Sequence, residues 1–135
     1  MSLKKFLNKK KDKKVIINTT DTLNGAPRLK GRRIDVGHVI WGITDYDNGD
    51  IKSYQVTFDV SIEEIKHAIL YCKDQVCEID KVNSSCNACT KSFSRYDYSF
   101  EEEKDYWEIA GNQFHKLKTK FNLPNDYKSL IENDK

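Results

Sequence analysis

Four cysteines are the residues of this 135-residue chain whose type and spacing point most directly to chemistry. Four, eight and two residues separate them in turn: Cys72, Cys77, Cys86 and Cys89. Zinc prefers soft thiolate ligands in a tetrahedral arrangement, and a C-x2-C turn presents two thiolates to one ion. The spacing therefore predicts a structural zinc site of four thiolates, which leaves no coordination position for water.

Two other interpretations of the cysteines stay open. Cys72 also falls on the predicted buried stripe of a helix, so that the ligands would instead be Cys77, Cys86 and Cys89 with His115. Alternatively, the thiols bind nothing. No secretory signal follows the basic start of the chain, so we expect a reducing cytoplasm, where metal binding or reduced thiols are commoner than disulfides.

A second group of residues with binding chemistry is cationic. Residues 1–40 carry eleven Lys or Arg against three acids, a net charge of +8, whereas residues 41–135 carry twelve against eighteen, a net charge of −6. Cationic side chains on an extended arm bind phosphate, and the predicted nucleic-acid contacts are Arg28, Lys30, Arg32 and Arg33. A lysine-rich tail that only aids solubility is the alternative explanation of the charge.

Catalytic patterns are weak in this sequence, and we expect a protein that is not an enzyme. The histidines are isolated from one another: His38, His67 and His115. Residues 45–50 contain three aspartates but lack the glutamate that completes a calcium loop, so they predict a solvated turn. The sequence contains neither a glycine-rich phosphate loop nor a nucleophile elbow.

Composition predicts one small domain with tails. Hydrophobic residues make up 38% and charged residues 33% of the chain, and the mean hydropathy is −0.74. No apolar run is long enough to span a bilayer, so we expect no membrane partner. Fifteen aromatic residues suffice for a modest core.

The N-terminal third predicts a short β-arm. Residues 1–14 form a lysine-rich tail that is typical of disorder, and β-branched residues at 15–17 predict a strand. Turn residues follow at 24–27. The polar and apolar alternation of residues 28–36 around Gly31 predicts a small hairpin or β-arm.

Helical patterns follow from Gly37 onward. Apolar residues at helical spacing predict a short first helix: Val36, Val39, Ile40 and Ile43. A weak second helix runs over residues 51–56. Ser61 and Glu64 form a capping box that opens a third helix to about Cys72, with this apolar stripe: Ile62, Ile65, Ile69, Cys72 and Val76.

The C-terminal part predicts a cysteine-rich loop and a helical extension. We divide the chain into a tail (1–14), a helical domain with its arm (15–76), the loop (77–98) and the extension (99–135). A second capping box predicts that a long helix starts at Ser99 and ends near Phe121. Its stripe is Trp107, Ala110, Phe114, Leu117 and Phe121. A final short helix is expected over residues 126–131.

Three motifs occur in a fixed order within residues 15–72. The first, residues 24–36, reads NGAPRLKGRRIDV; the second, at 49–52, reads GDIK; and the third, at 61–71, reads SIEEIKHAILY. Together they resemble a bacterial family catalogued as domain of unknown function 433, whose members are grouped with antitoxins. Arg32 stands where that family usually has threonine.

The resemblance implies a mainly α-helical fold, with a three-helix, helix-turn-helix-like core and a β-arm. It also implies dimerisation through the arm and DNA binding. The helix over residues 61–71 would take the recognition role, although it is expected to expose a nearly neutral set of side chains: Glu63, Glu64, Lys66 and His67. The expected function is that of an antitoxin-like or regulatory DNA-associated homodimer of a bacterial cytoplasm. The alternative is a protein-interaction module, toxin-neutralising or adaptor, with a structural zinc site and no DNA contact.

Overall fold

The computed structural model describes residues 14–19, 23–79, 86, 89–90 and 104–132. Over these residues the protein is mainly helical, with one sheet of two short strands, and the prediction of a mainly helical fold is confirmed. The elements follow in this order: β1 (Ile16–Ile17), β2 (Arg28–Leu29), α1 (Val36–Thr44), α2 (Ile51–Phe58), α3 (Ile62–Lys73), α4 (Val76–Ile79), α5 (Tyr106–Phe121) and α6 (Tyr127–Glu132). None of the helices in these ranges is long and apolar enough to cross a bilayer.

The small hairpin predicted around Gly31 is confirmed: an antiparallel bridge joins Arg28 to Asp35, and the Leu29 N–H donates to the Ile34 carbonyl at 2.9 Å. On its other edge, β2 also pairs with β1, antiparallel, with Ile16 opposite Leu29. Both Ile16 and Leu29 are buried in the core. The hydrophobic effect therefore draws β1 onto β2, an interaction between segments that are distant in sequence.

The first two helices begin at aspartate caps. The Asp35 side chain accepts a hydrogen bond from the His38 N–H at 2.7 Å at the start of α1. Asp50 accepts one from the Ser53 N–H at 3.2 Å at the start of α2. Each carboxylate satisfies an N–H group that has no partner inside the helix, and its charge favours the positive end of the helix dipole.

α3 begins at the capping box that the sequence predicts. The Ser61 hydroxyl accepts from the Glu64 N–H at 3.1 Å, and the Glu64 carboxylate accepts from the Ser61 N–H at 2.9 Å. The helix ends at Lys73, because Gln75 has a φ of +52° and separates α3 from the short α4. The predicted stripe is confirmed at its three buried members: Ile65, Ile69 and Cys72.

Within the described residues, α5 starts at Tyr106, and the preceding Lys104 lies in a parallel bridge with Cys89. The predicted start at Ser99, with the capping box that indicated it, lies outside the described residues. The end at Phe121 is confirmed, and α6 lies within one residue of its predicted bounds.

α3 lies at the centre of the core, where it packs against α1, α5 and α6. Three consecutive residues of α3, Ala68, Ile69 and Leu70, have no exposed surface. On the other side of α1, Gly42 lets the Tyr54 ring approach its backbone, since a Cβ there would lie 2.1 Å from the ring. The buried members of the α5 stripe complete this core: Ala110, Phe114 and Leu117.

Candidate functional site

Arg28, predicted as a phosphate contact, is bound within the fold. Only 9% of its surface is exposed. Its guanidinium donates to the Thr19 hydroxyl at 3.0 Å and to the Arg32 carbonyl at 3.1 Å. The side chain thus ties the residues after β1 to the turn after β2, and its donors point into the protein.

Arg32 is also engaged by the protein itself. Its guanidinium donates to the carbonyls of Phe58 and Asp59, at the end of α2. The same group pairs with Glu64 at 3.1 Å, at the start of α3. A cation is favoured at the negative end of the α2 dipole, so Arg32 stabilises the junction between the two helices.

Lys30 and Arg33 are placed as the sequence predicts for phosphate contacts, because both are exposed at the turn of the arm. The Lys30 N–H donates to the Val15 carbonyl at 2.7 Å. The exposed Lys14, next to Val15, therefore lies at the same end of the arm as Lys30. We call Lys14, Lys30 and Arg33 the cationic edge. The lysine-rich residues 1–13 precede Lys14 in the sequence.

The predicted recognition helix, α3, has little free surface. Within it, Glu63 is exposed, whereas His67 is 95% buried, so the prediction that α3 exposes His67 is wrong. His67 packs edge-on against the Tyr127 ring of α6. Burial lowers the pKa of His67 below its ordinary value, with a smaller opposing influence of Glu63.

The four predicted metal ligands line the same cavity. Cys72, Cys77, Cys86 and Cys89 all line one small cavity of about 20 Å³. Cys77 is half-buried and the other three are buried. The remaining walls are mostly apolar or aromatic: Pro27, Val36, Tyr71, Gln75, Tyr106 and Trp107. Four residues spread over 18 positions of sequence therefore border a single space.

Each cysteine reaches the cavity from a different part of the backbone. Cys72 lies in the last turn of α3 and Cys77 in α4. Cys86 and Cys89 are joined by a turn in which the Cys89 N–H donates to the Cys86 carbonyl at 3.1 Å. A parallel bridge joins Cys89 to Lys104, which lies two residues before the start of α5.

Gly37, which the sequence analysis did not single out, holds Cys86 in place. Its N–H, in the first turn of α1, donates to the Cys86 Sγ at 3.1 Å. A Cβ at Gly37 would lie 2.7 Å from the Cys86 Cβ and 3.3 Å from the Tyr106 ring. The one signal in the sequence is a glycine inside a predicted helix, where glycine is disfavoured unless close packing requires it.

The electrostatics of the cavity favour neutral thiols when it holds no ion. Burial raises the pKa of Cys72 and of Cys86 well above the ordinary value, and the neighbouring cysteines raise both further. Burial also raises the pKa of Tyr106 to about 12. Within the described ranges, no three His, Cys, Asp or Glu side chains are spaced closely enough to hold a metal ion as they stand.

Two histidines considered in the sequence analysis lie away from this cavity. His115 is exposed on α5 and does not line the cavity, so the mixed ligand set with His115 is not brought together. His38 lies on α1, with its Nδ1 2.9 Å from the Tyr54 hydroxyl and its ring 4.9 Å from that of Phe58. Burial lowers the pKa of His38, with an opposing influence of Asp35.

Comparison of the chain with protein-family models, with curated proteins and with solved structures finds no match. The resemblance drawn from the three motifs therefore stays a prediction.

Proposed function

We propose that this protein is a non-enzymatic DNA-associated regulator, antitoxin-like in the sense of its family resemblance, that contacts nucleic-acid phosphates through its cationic edge. The observation that carries the proposal is the pairing of β1 with β2, which gathers Lys14, Lys30 and Arg33 at one end of the arm. In the sequence, residues 1–13 precede this edge and contain six lysines and one aspartate. Clustered cations neutralise phosphates and release counterions.

The four arm cations take two different roles in this proposal. Lys30 and Arg33 are the contact residues, since their side chains are exposed. Arg28 and Arg32 are positioning residues, because their guanidinium groups hold the turn and the junction of α2 with α3. In this proposal the expected helix-turn-helix-like unit would consist of α2, the turn at 59–61 and α3. We assign no base reading to α3, because most of its residues are buried. The expected binding is accordingly independent of base sequence.

The test is a salt titration of binding to a short random duplex, measured by fluorescence anisotropy. Replacing both Lys30 and Arg33 with Ala removes two phosphate contacts, so the slope of log K against log salt should become shallower by about 2. The matched control replaces Lys116 and Lys120, two exposed lysines of α5, and should leave the slope unchanged. Equal effects of the two double variants, or no binding of the full chain at low salt, would contradict the proposal.

A second candidate is a protein-interaction module, and one observation favours it. Val56 of α2 exposes 72% of its surface. A second copy of the chain is the simplest partner for this surface. Sedimentation equilibrium of the parent and of Val56→Asp tests it: a dimer that the substitution dissociates supports this candidate, and equal masses reject it.

A further inference from the structure

The convergence of four cysteines on one cavity is the feature that the proposed function leaves unused. The two pairs, Cys72 with Cys77 and Cys86 with Cys89, are separated by a segment of eight residues. Helix packing and the bridge of Cys89 to Lys104 nevertheless bring both pairs to the same space. Ordinary core cysteines fill space as small apolar side chains, whereas these four surround an opening.

The size and chemistry of the opening select the occupant. About 20 Å³ is space enough for a single ion. Four sulfur ligands are soft and select zinc among the common divalent ions that need no redox chemistry. The apolar walls exclude hard, oxygen-preferring cations such as Mg²⁺ and Ca²⁺.

We propose that Cys72, Cys77, Cys86 and Cys89 bind one zinc ion, tetrahedrally, as a structural centre. Each thiol releases one proton to solvent and forms one Zn–S bond, so that four protons leave, zinc stays Zn²⁺ and nothing is oxidised or reduced. The thiols must turn inward from their present positions, because Zn–S bonds are about 2.3 Å long. Four protein ligands leave the ion no open position.

Gly37 supplies the hydrogen bond that stabilises the thiolate form of Cys86. Its N–H donates to the Cys86 Sγ, and this donor lies at the positive end of the α1 dipole. Donors of this kind, outside the ligands themselves, orient a metal ligand and balance its charge. The zinc would join the end of α3, α4, the start of α1 and the segment before α5, none of which involves the cationic edge.

The decisive experiment uses the full chain, reduced and freed of metal, titrated with Co²⁺ and then Zn²⁺. We expect one Co²⁺ per chain, with the intense visible bands of tetrahedral cobalt and the near-ultraviolet charge-transfer band of cobalt thiolates. One equivalent of Zn²⁺ should abolish both. The pale spectrum of octahedral cobalt, or four thiols that still react at full rate with excess zinc present, would overturn the proposal. Recovery of disulfides, each seen as the loss of two hydrogens by mass, would overturn it equally.

Single variants then identify the ligands. Cys77→Ser and Cys89→Ser should each weaken zinc binding by more than about 100-fold, beyond what the loss of a supporting contact causes. His115→Ala and Gln75→Asn are the matched controls: the first removes the alternative ligand, and the second changes a cavity wall at a positive φ that asparagine tolerates. Both controls should keep the parent affinity, and a loss in His115→Ala would reject the four-cysteine set. Circular dichroism of each variant separates lost ligation from lost folding, and the cobalt spectrum of the parent decides the proposal without any variant.

Discussion

The arm and the cysteine cavity each contain four predicted site residues of one chemical type, but the structure places the two sets differently. In the arm the four cations separate, with Arg28 and Arg32 bound inside the protein and Lys30 and Arg33 exposed. In the cavity the four cysteines converge. The difference follows from what the fold places near each side chain. Arg32 lies within reach of the Phe58 and Asp59 carbonyls, whereas Arg33, with the same side chain, is exposed.

α3 connects the two regions. Glu64, near its first turn, pairs with Arg32 of the arm, and Cys72, in its last turn, lines the cavity. Eight residues of helix separate them by about 12 Å. The comparison therefore predicts that damage to the middle of α3 affects both regions, whereas damage at either end stays local.

The largest effect is expected from Ile69→Ala. Ile69 has no exposed surface, so the substitution removes buried methyl groups and leaves a cavity that costs about 2–5 kcal/mol of unfolding free energy. Chemical denaturation followed by circular dichroism measures it. The control is Val56→Ala, at the exposed position of α2, where we expect a change below about 0.5 kcal/mol. Equal values for the two variants would show that α3 is not the centre of the core.

The second largest effect is expected from Arg32→Ala, compared with Arg33→Ala. Arg32→Ala removes three hydrogen bonds to the α2–α3 junction and should lower the unfolding free energy by about 1.5–3 kcal/mol, the range for bonds to charged groups. Arg33→Ala, one residue along, should change it by less than about 0.5 kcal/mol. Urea denaturation of the two variants side by side gives the difference. Indistinguishable midpoints would mean that Arg32 does not hold the junction.

A smaller, local effect is expected at the cavity. Gly37→Ala keeps all four cysteines but places a Cβ 2.7 Å from that of Cys86. If zinc binds there, its affinity should fall by about 10–100-fold, as for other contacts that support a ligand. Competition with a chromophoric chelator measures the affinity, and Gly111→Ala, where a Cβ meets only one side-chain atom at 3.9 Å, is the control. An unchanged affinity would show that Gly37 does not position Cys86.

The smallest effect concerns acid. Burial lowers the pKa of His67 below 6.5 in the folded protein. Below about pH 6.5 the unfolded chain therefore binds more protons than the folded protein does, and the unfolding free energy decreases as the pH falls. His67→Gln should make the decrease of the unfolding free energy with falling pH shallower. Above pH 7, where His67 is neutral in both the folded and the unfolded chain, the substitution should not change the pH dependence. Thermal melts between pH 5 and 8 measure it. A steeper dependence in the variant would contradict the assignment, and His38, whose pKa is lowered in the same direction, accounts for part of the remaining slope.

Much of the local structure was predictable because its causes are local. The capping box of Ser61 and Glu64 and the apolar spacing after it determine α3 within about one residue. The bridge of Lys104 to Cys89, just before the start of α5 at Tyr106, was not predictable in this way, because it joins segments that are 15 residues apart in sequence. The pairing of β1 with β2 likewise depends on burial that residues 28–36 alone do not reveal.

The candidate sites were likewise predictable in part. The sequence by itself determined which residues are able to bind phosphate or metal, because charge and thiol chemistry belong to the side chain. Only the tertiary structure decided which of them share a target, since that depends on contacts across long sequence distances: Arg32 with Phe58, Cys86 with Gly37, and His67 with Tyr127. Local spacing specifies helices through short-range hydrogen bonds, whereas the direction of a side chain is settled by whatever the rest of the chain packs against it.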